Sequence, residues 1–472
     1  MERFECIVCR SRYDISSDFI VCPKCKNTLT ITYDYSIIKS SDLINHEVKS
    51  LWRYKRILPS VDSNCIVSLG EGCTYLHEAN NLASSLGLKC RVYLKDETVN
   101  PTGSFLDRGV SIAVSYALCK GYDGLVTVST GNLGASVSAY SAKSGLKSII
   151  YLPSDIDMGK LYQTMIFGAD IEVISDLSVG YEKAYNLLSK GYYPILPNNP
   201  FFLEGLKTIG YEICEDREWK APDAIIVPMG HGGAIFAIWK SFKEMKELGL
   251  IDKIPRMIGV QIRGVSPIVD YILGEKREIE EAYVSDISIS NPLNLEGAVL
   301  AIRKSGGLAL RVEYNDVMKA IGIIAKNEGI YVEAAAAATV TALINIHDQF
   351  ADQEVVCILT GLGLKDPLAT RELTRSIRLK LGIYEEIEHR RIGRTKVIIL
   401  EAISKGYNYG YSIWKFIKDL GVDIRLPTIY QHLSELERMG LIKVVTTKGV
   451  GRLSTIYTLT KRGIKILQYF RG

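Results

Sequence analysis

Val227-Pro-Met-Gly-His-Gly-Gly-Ala-Ile-Phe236 runs from a β-branched segment through closely spaced glycines into an amphipathic stretch, Ala234–Leu248. The order is strand, glycine-rich turn, helix. Glycines let backbone N–H groups converge, and a helix N-terminus favours a nearby anion by about 0.3–1 kcal/mol. Taken alone, the segment is either a phosphate-binding loop or a tight turn. Two further segments repeat the order: Ser129-Thr-Gly-Asn-Leu-Gly-Ala-Ser136 and Leu359-Thr-Gly-Leu-Gly-Leu-Lys-Asp-Pro367.

Outward from these turns, short β-rich runs alternate with helical patterns from about Leu51 to Ile387. Candidate strands are Gly124–Ser129, Ser148–Leu152, Ile171–Ile174, Ala224–Val227 and Val355–Leu359, with amphipathic segments such as Tyr181–Lys190 between them. Apolar runs spaced by helices predict buried parallel strands in an α/β fold. Ligands in such sheets bind at the carboxyl ends of strands, where all three turns lie. Three such turns in one sheet are expected to meet at a pocket.

The chain is long enough for two to four domains at roughly 100–200 residues each. Its 472 residues carry a net charge of only +4, but that average conceals an asymmetry. From His389 onward there are 16 Lys+Arg against 5 Asp+Glu, a balance of +11, which leaves the body at −7. A basic tail on an acidic body points either to nucleic acid or to a solvated helical tail. Hydrophobic content of 47% excludes wholesale disorder. The N-terminus shows no secretory pattern, and no apolar window reaches the 18 or so residues needed to span a bilayer. The Ala-rich run Val332–Ile344 is too short and contains Glu333. A cytoplasmic protein with no membrane partner is expected.

Without a secretory signal, the ten cysteines are expected to be thiols or metal ligands rather than disulfides. Cys6-x2-Cys9 and Cys22-x2-Cys25 are paired knuckles that can present four thiolates to one structural Zn²⁺, the alternative being two local disulfides. Cys65, Cys73, Cys90, Cys119, Cys214 and Cys357 are scattered and are expected to be small buried side chains.

Lys95-Asp-Glu-Thr-Val-Asn-Pro-Thr-Gly-Ser-Phe-Leu-Asp-Arg-Gly109 resembles the active-site segment of threonine synthases, whose pattern is approximately KxExxNPTGSFKDRG. Leu69–Thr74, the three turns and Asn198–Thr208 resemble further family segments, and many members carry an N-terminal zinc ribbon. The likeness covers about residues 1–385. It implies a fold type II pyridoxal-phosphate core (tryptophan synthase β-like), commonly dimeric. By the same resemblance, Asn132 and Thr360 contact the cofactor ring and Gly230, His231, Gly232 and Gly233 form its phosphate loop. Ser104, Ser129, Thr130, Leu133 and Lys207 fall in the substrate pocket. The departures are informative. The family's cofactor-bonding lysine is Leu106 here, which has no nucleophilic nitrogen. Leu133, Leu206 and Leu362 replace polar family residues. Such a site can still hold an anion, or pyridoxal phosphate without a covalent bond.

In the tail, Lys396–Ile403 has helical periodicity, a second helix begins within Gly406–Ile417, and a third runs over Pro427–Met439. Pro427 suits a first helical turn; Ile429, Leu433, Leu436 and Met439 form an apolar stripe. Two β-rich runs flank a basic tip, Thr447–Arg452, and Lys461–Phe470 is a final helix. Tyr409-Gly-Tyr-x-Ile413, Pro427-Thr-Ile-Tyr430 and Tyr457-x-Leu-Thr460 resemble the PadR-like winged helix-turn-helix regulators. That geometry implies recognition of double-stranded DNA by Thr428, Tyr430, Gln431 and His432, with Arg425, Lys448 and Arg452 at phosphates. Tyr430 is alternatively a core residue, and winged helices also bind proteins.

These expectations combine as residues 1–48 (ribbon), 49–388 (α/β body) and 389–472 (winged helix). The sequence supports a ligand-sensing DNA-binding regulator on a disabled threonine synthase-like body, sensing an amino-acid-like or phosphorylated ligand and acting as a homodimer on an operator. The alternatives are an active lyase with an accessory DNA-binding domain, or a body serving only as a dimerisation scaffold.

Overall fold

The computed structural model describes residues 2–38, 43–153, 156, 158–275, 286–367, 369–370, 373–374, 393–422, 424–449 and 452–471. The chain divides into two units, Met1–Thr374 and Arg375–Gly472. The boundary expected at 388/389 lies outside the described residues.

The first unit opens with a small antiparallel sheet of β1 (Arg3–Cys6), β2 (Arg12–Asp14) and β3 (Leu29–Thr32), in the order β2-β1-β3. In chain order, β4 (Tyr75–Glu78) and β5 (Arg91–Asp96) precede β6 (Gly124–Val128), β7 (Lys147–Pro153), β8 (Asp170–Ile174) and β9 (Tyr192–Pro194). Then come β10 (Ala224–Pro228), β11 (Arg256–Ile262), β12 (Leu308–Val312) and β13 (Glu354–Leu359). They assemble as two separate sheets, β8-β7-β6-β9 and β12-β11-β10-β13-β5-β4. Every pairing in them is parallel except β4 with β5. Strands β6 and β10 are buried at every residue, which explains their uninterrupted apolar sequences.

The helix Leu106–Lys120 ties the body together and ends at Gly121 in the left-handed region, φ 75°. Residues four apart share one helix face. On that face Ser111 Oγ accepts from Trp52 Nε1 (2.9 Å) and donates to Val67 O (2.8 Å). One turn on, Ser115 Oγ accepts from Val67 N (2.9 Å). After another turn Cys119 is joined to Cys65 in a disulfide, with Cα atoms 5.3 Å apart. This corrects the expectation that these two cysteines are isolated thiols: helix phase brings Cys119 over a segment 54 residues away. At Gly109 a Cβ would meet Phe202 O at 2.7 Å, so the absent side chain lets the helix Pro200–Leu206 pack closely.

Beneath these helices lies a fully buried ionic network. Arg108 Nε and Nη2 reach Glu97 Oε2 and Glu212 Oε2, both at 2.6 Å. Nη1 and Nη2 also donate to the hydroxyls of Thr208 and Thr74, both at 3.0 Å. Lys95 Nζ meets Glu212 at 3.0 Å and donates to Thr74 O at 2.8 Å. The partnering charges hold Glu212 well below the usual carboxylate range, although burial alone would raise it.

In the second unit, helices Arg394–Ser404, Gly410–Asp419 and Leu426–Arg438 precede a hairpin of β14 (Ile442–Gly449) and β15 (Arg452–Leu459) and a final helix, Lys461–Arg471. Ile429, Leu433 and Leu436 are fully buried, as the apolar stripe requires, and Met439 packs at the edge of that core. Gly440 takes φ 67° just past the third helix.

Candidate functional site

A cavity of about 110 Å³ lies where the sequence places its turns. Ser129, Thr130, Asn132 and Leu133 enter it after β6, Gly230–Gly233 after β10, and Thr360 after β13. The expectation of a single sheet is corrected: β6 belongs to the four-stranded sheet, β10 and β13 to the six-stranded one. Leu106, Leu206 and Phe202 complete an apolar wall with Leu133. Leu106 is the first residue of its helix and is half-buried.

The polar side of the cavity centres on Glu333, 2% exposed. Asn132 Nδ2 donates to Glu333 Oε2 (2.9 Å) and the Thr360 hydroxyl donates to Oε1 (3.1 Å). Asn132 Oδ1 is buried with no hydrogen-bond partner. Burial, then the nearby charge of Asp286, pushes the Glu333 carboxyl up to about 7. Gly361 lies against it: a Cβ there would sit 2.5 Å from Oε1. Asp286 also lines the cavity and pairs with Lys160 Nζ at 2.5 Å. Burial would lower the Lys160 amine, but the Asp286 charge holds it above its ordinary range. Lys365 Nζ donates to Thr102 O (2.7 Å) and Gln163 Oε1 (2.9 Å), and burial lowers it to about 8. Among the described residues, no lysine or arginine lines the cavity.

His231 lines both this cavity and a neighbouring one of about 420 Å³. Its Nδ1 accepts from Leu293 N (3.3 Å), Nε2 meets the Tyr181 hydroxyl (3.1 Å), and burial pushes it down to about 4. The imidazole is therefore neutral at physiological pH.

All six residues expected at the cofactor line the cavity, as do Ser129, Thr130 and Leu133. Ser104 and Lys207 do not. Ser104 is buried in a bridge to Gly361. Lys207 turns into a separate ion cluster, 2.6 Å from Glu204 and 3.1 Å from Glu244, beneath the Tyr33 ring. Leu362 packs instead against Gly103 and bridges to Val332. Glu333, Asp286 and Phe202 were not singled out for this site from the sequence; Phe202 lies in the quoted segment Asn198–Thr208, whereas Glu333 and Asp286 belong to none of the quoted motifs.

Pyridoxal phosphate, which the resemblance brings with it, is matched by these residues only in part. The glycine turn opens the helix Gly233–Glu247, whose first amides have no partner within the helix. Asn132 and Thr360 stand beside it. Against this, no lysine among the described residues lines the cavity, and its carboxylates, Asp286 and Glu333, do not favour an anion. The volume also lies below the roughly 300–1,000 Å³ of usual ligand pockets. The bonded form of the cofactor does not fit the described lining.

The four expected metal ligands come together in the first unit. Cys6, Cys9, Cys22 and Cys25 have all Sγ atoms within 4.8 Å of one another, a set that can hold a metal such as zinc. Asn27 Nδ2 points at Cys25 Sγ (3.7 Å), and the Tyr13 hydroxyl meets Cys22 Sγ (3.3 Å).

In the second unit, Arg425 precedes the helix Leu426–Arg438 and is exposed, as are Gln431 and Tyr430. Tyr430 is 45% exposed, so it is not a core residue. Thr428 is half-buried. His432 Nδ1 lies 3.4 Å from Glu435, which pairs with Lys396 at 2.7 Å. Lys448 and Arg452 occupy the tip ends of β14 and β15; their side chains lie outside the described residues.

The sequence matches the family of pyridoxal-phosphate dependent enzymes over residues 67–361 and the transcriptional regulator PadR-like family over 399–469. Threonine synthase of Methanocaldococcus jannaschii is 40% identical over 376 residues, 77% of this chain and 92% of that one. Threonine synthase of Methanosarcina acetivorans is 37% identical over 382 residues, 78% and 93% respectively. A crystal structure of a pyridoxal 5'-phosphate-dependent aspartate racemase matches with a TM-score of 0.54 at 22% identity, over 61% of this chain and 89% of that one. That last likeness is one of fold alone. Among the described residues no helix is long and apolar enough to cross a membrane.

Proposed function

Because this chain belongs to the pyridoxal-phosphate-dependent enzyme family, with threonine synthases among its relatives and a PadR-like domain at its C-terminus, we propose that it is a ligand-sensing, DNA-binding transcription regulator built on a catalytically disabled body. One observation supports the proposal: Leu106, which the resemblance sets at the position of the family's cofactor-bonding lysine, lines the cavity, while the buried Lys160 pairs with Asp286 and Lys365 donates to Thr102 O and Gln163. Bound through a lysine, the cofactor supplies an electron sink for carbanion chemistry. A leucine neither forms that bond nor carries a proton, and loss of a general acid–base group alone typically removes about 10²–10⁴ in rate.

What remains is a site that can bind. Its occupant is an amino acid, a phosphorylated precursor, or pyridoxal phosphate held without a covalent bond by Gly230–Gly233, Asn132 and Thr360. Binding biases the geometry of a homodimer and so the spacing of two winged helices on a palindromic operator. Zinc at Cys6, Cys9, Cys22 and Cys25 is structural, since four thiolates leave no open coordination position. In the tail, Tyr430 and Gln431 present exposed polar groups to base edges, and Arg425 meets a phosphate.

The test is fluorescence anisotropy of the full chain on the DNA upstream of its own coding sequence. Binding that weakens steeply between 50 and 200 mM salt, as roughly 0.9 counterions are released per phosphate neutralised, is the expected result. No salt-sensitive binding sinks the regulator. The enzyme alternative wins if borohydride fixes pyridoxal phosphate to the protein and O-phosphohomoserine is turned over. Leu106→Lys is expected to restore little turnover, because Leu133 and Leu206 remain.

A further inference from the structure

We propose that the cavity takes an amino acid with an aliphatic side chain, and not a phosphorylated molecule. The inference deepens the sensor function proposed above and rests on it.

Charge comes first. Among the described residues, the acids lining the cavity are Asp286 and Glu333, no lysine or arginine lines it, and His231 is neutral. Lys160, beside the cavity, is paired with Asp286 at 2.5 Å, so those two charges offset each other and Glu333 is the remaining acid of the lining. A phosphomonoester near pH 7 carries about −1.5 to −2 and would meet the Glu333 carboxyl with no lysine or arginine among the described lining residues. An ammonium group meets the complement it needs.

Hydrogen bonding points the same way. Asn132 is 4% exposed, lines the cavity, and its Oδ1 accepts from nothing. A buried acceptor without a partner is costly, and an ammonium N–H is a donor of the right kind. Glu333 shares a hydrogen bond with the same Asn132 side chain, so two acceptors converge on one polar corner. A carboxylate has a separate place at the first amides of the helix Gly233–Glu247.

The rest of the lining is apolar. Leu106, Leu133, Phe202 and Leu206 form the wall, three of them leucines at positions where the family carries a polar or charged residue. A volume of about 110 Å³ compares with an apolar cavity of about 150 Å³ that admits benzene. That is the scale of a small ligand, which favours a short aliphatic side chain over a large or aromatic one. The leucines are therefore a specificity surface, which explains why several polar-to-apolar changes accumulate around one cavity.

The test uses the full chain in titration calorimetry and thermal denaturation with L-leucine, L-isoleucine, L-threonine, inorganic phosphate and pyridoxal phosphate. L-leucine or L-isoleucine should bind and raise Tm. L-threonine should bind at least tenfold more weakly, since its hydroxyl would be buried without a partner. Phosphate and pyridoxal phosphate should leave Tm unchanged. Leu206→Ala should enlarge the cavity and shift preference toward L-phenylalanine, a gain that misfolding cannot produce; Glu333→Gln should weaken every amino acid. Stabilisation by phosphate or pyridoxal phosphate in place of the amino acids overturns the inference, as does the failure of every amino acid to bind. Amino-acid binding that leaves operator affinity unchanged supports this inference while sinking the sensor; an operator response to pyridoxal phosphate alone does the reverse.

Discussion

Two buried polar clusters in the first unit are each built on a glutamate and a threonine hydroxyl and end differently. Around Arg108, Glu97, Glu212, Lys95 and Thr74 close on one another in a web of short contacts. Around Glu333, Asn132 and Thr360 donate into one carboxylate, and the Asn132 oxygen is left over. Burial acts on both, yet Glu212 is held below the usual carboxylate range and Glu333 pushed up to about 7. The difference lies in the cations. Arg108 and Lys95 touch Glu212 directly, whereas the Lys160 amine is directed at Asp286, itself a neighbour that repels Glu333. A fully paired cluster supports a fold, and an under-paired one beside a cavity suits recognition of a positively charged group.

Arg108→Ala strikes the paired cluster hardest. Stripping a buried cation from two carboxylates should cost about 3–5 kcal/mol in urea unfolding of the body. A loss below about 1 kcal/mol would erase the contrast between the clusters.

Opposite pH dependences sharpen the comparison. Glu333 binds its proton more tightly folded than unfolded, so the stability linked to it is present in acid and is lost as pH rises toward about 7. Asp107, raised to about 6 by burial, acts in the same direction. Glu212 acts oppositely: its contribution is present above the unfolded carboxylate range and is lost as pH falls below it. Glu333→Gln should therefore flatten the decline between pH 5 and 7, by about 1–3 kcal/mol, leaving the part due to Asp107. An unchanged slope places the Glu333 carboxyl in the ordinary range.

One substitution made in both clusters compares them directly, and its effect in the Glu333 cluster is the smallest of these. Thr74→Val removes a hydroxyl that donates to Glu97 (2.7 Å) and accepts from Arg108 (3.0 Å). Hydrogen bonds to charged groups contribute about 1.5–3 kcal/mol. Thr360→Val removes a single donation at 3.1 Å to a carboxyl that is partly protonated near neutrality, and about 0.5–1.5 kcal/mol is expected. The reverse order, read from chemical denaturation, breaks the comparison.

The sequence made local features plain and hid those assembled across the fold. The cysteine knuckles and the apolar stripe of the helix Leu426–Arg438 depend on spacings of a few residues, and both are found where the pattern puts them. Strands β6, β10 and β13 were equally plain, but their division between two sheets depends on pairing that no single run encodes. Lys207 illustrates helix phase. Residues next to each other on a helix point about 100° apart, so Leu206 faces the cavity while Lys207 faces Glu204 and Glu244. The Ala-rich run that stood out only as too short for a membrane is the buried helix Ala334–Ile346, with Glu333 as its N-cap residue. Nothing near Asn132 announces Glu333, which lies 201 residues away.

Gly361 sets a condition on how this chain can diverge. Any side chain there must push the Glu333 carboxylate aside, because even a methyl carbon would stand 2.5 Å from its oxygen. Positions 333 and 361 are thus coupled: a side chain at 361 requires that the Glu333 carboxylate turn away from Asn132 and Thr360 or be absent.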